Sequence, residues 1–172
     1  PSVASADAAA EARFHVVLAR RHYAARRFED AAREFMIEQR LAPNPNIVFN
    51  IGLCFQQLRR HADAYMYFAE YLASDDPDPE RRRTAERALA QLRPRVALVD
   101  VRSTPPGLEV YVDRRELGQY GVTPRVLALS AGEHRIWIEG EGYRMAETTS
   151  TWSSAPSSGS SCPPSRSSAG WW

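Results

Sequence analysis

The sequence predicts an α+β chain in two parts, antiparallel helical hairpins followed by a small antiparallel β-sandwich. Three observations carry this prediction. Apolar residues recur at helical spacing from Ala12 to Leu72, and two halves of that stretch match when Leu18 is laid on Ile51. After Pro94 the apolar period drops to that of a strand. The expected division is 1–10 as a leader remnant or disordered segment, 11–93 as helical repeats with a capping helix, 95–148 as the β domain and 149–172 as a disordered Ser- and Pro-rich tail.

Composition sets the outer bounds. Of 172 residues 44% are hydrophobic and 25% charged, enough apolar material for one or two small cores. All 22 basic residues are arginine, set against 21 acidic ones, and a net charge of +1 gives no reason to expect nucleic acid or an anionic membrane as partner. No apolar run approaches the roughly 20 residues that cross a bilayer. Ala4-Ser5-Ala6 has the small-x-small form that signal peptidases read, so an exported, periplasmic or envelope-associated protein is expected, with the cytoplasm as the alternative. Cys54 and Cys162 form neither a disulfide framework nor a metal site.

The helices follow in order. Phe14, Val17 and Leu18 mark the first, and Phe28, Ala31, Ala32, Phe35 and Met36 the second. Pro43-Asn44-Pro45-Asn46 interrupts, because proline restricts itself and its predecessor. A third helix is expected over about 47–58 and a fourth over about 62–73, with short breaks that make neighbours antiparallel. In the same alignment Ala19 matches Gly52, His22 matches Phe55, Ala31 matches Ala64 and Phe35 matches Phe68. A small residue lets two backbones approach where they cross, and an aromatic fills the gap beside it.

Leu18-Ala19, Phe28-Glu29-Asp30-Ala31, Phe35 and Pro43 resemble one tetratricopeptide repeat. Ile51-Gly52, Phe55, Ala64, Phe68 and Pro77 resemble a second. The departures are Arg26, where the family usually has Gly, and a step from Leu18 to Ile51 that is slightly shorter than the family's. The resemblance implies a concave groove lined by the first helix of each hairpin. Its pattern assigns Val16, Arg20 and Tyr23, then Asn46, Phe49, Asn50 and Leu53, as the residues meeting a partner peptide. Arginine grips carboxylates and asparagine both donates and accepts, which suits a peptide backbone.

Ser74-Asp75-Asp76-Pro77-Asp78-Pro79 reads as a linker ending in a helix start, with Asp78 as cap and Pro79 in the first turn. A fifth helix over 80–92 then seals the array with Ala85, Ala88, Leu89 and Leu92 on one face. Beyond Pro94, strands are expected at 96–101, 109–113, 125–129 and 134–139, separated by Pro- and Gly-rich turns. Ser103-Thr104-Pro105-Pro106-Gly107-Leu108-Glu109-Val110-Tyr111-Val112-Asp113, Gly118, Thr123-Pro124, Ala131-Gly132-Glu133-His134 and Glu141-Gly142-Tyr143 resemble a PEGA domain. This resemblance implies a small β-fold of envelope proteins with no known activity, and a last strand near residue 148. The Ser-rich composition that begins there argues against ordering.

Catalytic chemistry finds little support. His15, His22, His61 and His134 show no zinc-ligand spacing, and no Gly-x-Ser-x-Gly elbow occurs. The expectation is a non-enzymatic adaptor of the bacterial envelope, without cofactor or metal, that holds a protein or peptide in the helical groove. The alternative is cell-wall or surface-polysaccharide binding by the β module, with Tyr111, Tyr120 or Trp137 stacking on sugars.

Overall fold

The structure, a computed structural model, describes residues 3–75, 78–113, 120–140 and 146–152, with side chains over 10–75, 78–113 and 120–140. Pro77, Gly118, Glu141-Gly142-Tyr143, Cys162 and the chain from residue 153 lie outside the described residues, so expectations resting on them stay there. The layout is α+β: two compact units meet in the chain between Pro94 and Arg95.

The helical unit contains α1 (Val3–Ala24), α2 (Phe28–Leu41), α3 (Pro45–Gln57), α4 (His61–Leu72) and α5 (Pro79–Leu92). The helix α1 starts inside the stretch expected to be a leader remnant or disordered segment. Its Ala-rich opening explains this, since alanine is the strongest helix former. Each helix packs on the next: α2 against α1 and α3, and α4 against α3 and α5.

The sequence repeat is written in the backbone. After α1, Arg26 N donates to Tyr23 O and Arg27 N to His22 O. After α3, Arg59 N donates to Gln56 O and Arg60 N to Phe55 O. Both pairs close a Schellman turn around a left-handed residue, Arg26 and Arg59, each at φ 58°. The entries to α3 and α5 are alike too. Asn44 accepts from Asn46 N at 2.9 Å, Asp78 accepts from Glu80 N at 3.0 Å, and a proline follows each cap.

Packing repeats with the turns. Ala31 and Ala64 are fully buried, and Phe35 and Phe68 lie in the same core. A Cβ on Gly52 would stand 3.0 Å from the Phe68 ring, so α3 and α4 cross closely here and a larger residue would press on that ring. Around it Phe49 meets Phe68 and Tyr71, and Phe55 stacks on Tyr67 with Arg60 above it. Burying these aromatic faces contributes to the stability of the unit.

The β unit holds two antiparallel sheets. One pairs β1 (Ala97–Val101) with β3 (Arg125–Leu129); the other has the order β2 (Glu109–Val112), β4 (Gly132–Glu139), β5 (Ala146–Trp152). The strand β5 crosses the boundary expected at 148 and runs into the segment expected to be a disordered tail. Its backbone is satisfied by a register with β4 that runs from Gly132↔Trp152 to Ile138↔Ala146. Val110 opposes Ile138 and Val112 opposes Ile136, four buried residues on one face. Tyr111 and Trp137 pair across the other face with rings 6.2 Å apart.

Candidate functional site

The groove residues predicted from the repeat fall on α1 and α3 as expected, but not all on open surface. Arg20 is exposed, and Val16, Tyr23, Asn46, Asn50 and Leu53 are half-buried. Phe49 departs from the expectation. It is only 6% exposed, held in the core between Phe68 and Tyr71, because α3 is covered by helices on two sides. Tyr23 also leans inward: its ring meets Phe28 edge-on at 5.2 Å, and burial pushes its phenol above the ordinary range. Of the predicted set, Arg20 stays open and Val16, Asn46, Asn50 and Leu53 stay partly open.

Beside Arg20 lies a part-buried polar cluster that periodicity alone does not reveal. His15 Nδ1 sits 2.5 Å from Glu34 Oε2. Glu38 is buried, and its Oε2 has no hydrogen-bond partner. Desolvation raises the Glu38 carboxyl above its usual range, while Arg20 and His15 pull it back in part. Placing one hairpin over the other would have disclosed the cluster. One repeat on, His15, Glu34 and Glu38 become Val48, Tyr67 and Tyr71, so the first hairpin carries charge where the second carries apolar and aromatic bulk. His22, one hairpin before Phe55, keeps a buried Nδ1 without a partner.

Cys54 is fully buried, and its thiol is pushed up to about 12 by desolvation. Such a thiol is a packing group, with almost no thiolate at neutral pH.

In the β unit, Asp113, His134 and Ser130 come together. His134 Nδ1 lies 2.8 Å from Asp113 Oδ2, and Nε2 lies 3.2 Å from Ser130 Oγ and 3.1 Å from Ser130 O. A general base needs a free lone pair aimed at the hydroxyl. Here Nε2 is engaged by both Ser130 Oγ and Ser130 O and Nδ1 by the Asp113 carboxylate, so both ring nitrogens are taken up within the turn. Asp113, at φ 59°, also accepts from Arg135 N at 3.0 Å through Oδ1. The three residues thus tie the end of β2 and the β3–β4 turn to β4.

A second clamp sits at the other turn. The buried Thr123 hydroxyl accepts from Leu108 N at 3.1 Å and meets Ser103 Oγ, and Thr123 O accepts from Gly107 N at 2.8 Å. Aromatic stacking on sugar loses ground in this geometry. Trp137 is 8% exposed rather than open, and Tyr111 is engaged by Trp137 and by Glu109 at 2.7 Å; Tyr120 is half-buried.

Among the described residues no group of His, Cys, Asp and Glu could hold a metal ion, and no helix is long and apolar enough to cross a membrane. No curated protein and no solved structure matches the chain. The strands, the Pro105-Pro106-Gly107 turn held by Thr123 and the Asp113–His134 tie all fall within residues 96–154, and that segment matches the family model of the PEGA domain.

Proposed function

We propose that the protein is a non-enzymatic adaptor of a bacterial envelope, holding a partner protein or peptide against the α1–α3 face of its helical unit. On this reading the five helices are tetratricopeptide-like hairpins that form the start of an α-α superhelix with α5 as its cap. The β unit is a PEGA-type sandwich that serves as a structural module. The observation that carries the reading is the hairpin repeat, in which backbone turns, small crossing residues and buried aromatics recur together from one hairpin to the next. Arrays of this kind offer their first helices to ligands. Arg20 and Asn50 stand where such a ligand would meet a guanidinium and an amide.

The test is photo-crosslinking in the envelope fraction with the probe at Asn46, comparing wild type with Arg20→Glu/Asn50→Ala. A protein joined to the wild type and lost from the variant is the expected result. Equal recovery by both would move the contact away from this face.

A further inference from the structure

The two hairpin turns carry the same costly residue. Arg26 and Arg59 hold the left-handed position of their Schellman turns, where a side chain strains the backbone and glycine does not. A second arginine follows each, Arg27 at the entry to α2 and Arg60 at the entry to α4. All four are exposed. Folding does not account for Arg26 and Arg59. Glycine would hold the same turns at lower cost, and among the described residues neither guanidinium makes a hydrogen bond, an ion pair or a ring contact.

Successive helices are joined by short turns and packed on one another, so α1 and α3 run the same way and both turns lie at one end of the helical unit. The last turn of α1 brings Arg21 to that end as well. Against these cations stand Glu29, Asp30 and Asp63, the acids in the first turns of α2 and α4. Asp30 pairs with Arg33 at 3.3 Å and Asp63 with Arg60 at 2.9 Å. Glu29 is left against Arg21, Arg26, Arg27 and Arg59, so a chain of net charge +1 presents a concentrated positive end. The large apolar side chains exposed among the described residues are Phe14, Val17, Val122 and Val126, and neither turn contains one.

We propose that this end of the helical unit docks peripherally on an anionic phospholipid membrane, with Arg26, Arg27 and Arg59 seated on headgroup phosphates. A guanidinium gives a phosphate two parallel hydrogen bonds, and each arginine near an anionic leaflet adds to the attraction. A protein partner is held by aromatic and apolar anchors at the centre of its interface, and a single nucleic-acid strand by aromatic platforms. The turns offer neither. A headgroup layer asks only for cations that reach outward, which residues at the tips of hairpins do. This surface does not include Arg20 or Asn50, and it stands whether or not a partner occupies the α1–α3 face.

Cosedimentation of the full chain with vesicles at low salt is the test, using phosphatidylcholine alone and phosphatidylcholine mixed with phosphatidylglycerol. The expected result is binding to the anionic vesicles only, weakened at least about tenfold by Arg26→Gly/Arg59→Gly. Added salt should release the protein, because exposed charges are screened. Glycine suits both turns, so the melting temperature of this variant should not fall below wild type. Arg27→Gln, outside the left-handed position, should weaken binding in the same direction. Arg40→Gln/Arg83→Gln removes two exposed arginines near the opposite end of the unit and should leave binding unchanged. Equal losses in the two double variants would make the effect one of net charge and overturn the proposal. No binding, equal binding to neutral and anionic vesicles, or equal binding by wild type and the glycine variant overturns it as well. Tighter binding to a duplex oligonucleotide or to poly-glutamate, with the same loss on Arg26→Gly/Arg59→Gly, overturns it in favour of that polyanion.

Discussion

Glu38 occupies the place that Tyr71 occupies one repeat later, and it pays for this in desolvation. Its carboxyl is raised in the folded state, so the folded chain holds that proton more tightly than the unfolded chain. Stability from this group is therefore present below the unfolded carboxyl range and lost as pH rises through the folded value. At neutral pH the deficit is fully in place. Glu38→Met removes the unpaired oxygen at similar volume and is expected to stabilise by about 1 kcal/mol at pH 7. Thermal melts should show the gain shrinking as the pH falls toward 4. Arg26 and Arg59 give a second expectation, since a side chain in the left-handed region is costly and glycine is not. Arg26→Gly and Arg59→Gly should each stabilise by about 0.5–1 kcal/mol, adding together, as read by urea unfolding. At this scale the sequence is half legible. The pattern shows which face of α3 turns inward, but α2 and α4 both cover that helix, and Phe49 is enclosed with the rest. Trp137 is enclosed likewise on the central strand of its sheet.

Elements are more legible than residues, because their ends are chemical. Proline after the Asp78 cap announces α5, and that cap forms; α3 opens the same way at Asn44 and Pro45, inside the stretch expected to interrupt the helices. The start of α1 and the whole of β5 are harder to read. An Ala-rich opening fits a leader as well as a helix, and a polar strand of Thr and Ser shows its nature only in register with β4. What holds the strands in that register is a small set of side chains. Asp113 accepts from Arg135 N and meets His134, fastening β2 to β4 where the ladder between them ends. Asp113→Ala removes both contacts and is expected to cost about 1–2 kcal/mol in the β unit. Hydrogen exchange should then quicken at the Arg135 amide while the helical unit's amides stay unchanged.

The helical unit as a whole has two unlike ends. At one, α5 turns Ala85, Ala88 and Leu92 inward and leaves Glu80, Arg83, Glu86 and Arg87 toward solvent along a shallow depression of about 640 Å³. At the other, α1 leaves Phe14 and Val17 in water. Where each helix packs mainly on its neighbours, α5 matters through α4, the helix it covers. Ala85 is the contact through which α5 does this, fully buried and one repeat beyond Gly52 and two beyond Ala19. Ala85→Glu places an unpaired carboxylate at that crossing, at a cost of about 3 kcal/mol or more. The expected consequence is release of α5 rather than collapse of the unit, because the α1–α4 core keeps Phe35, Phe55 and Phe68 packed without it. Exchange at the α5 amides should rise to the rate of an open segment, with α3 remaining protected. Protection of α5 equal to wild type would show that its hold on α4 does not depend on this face.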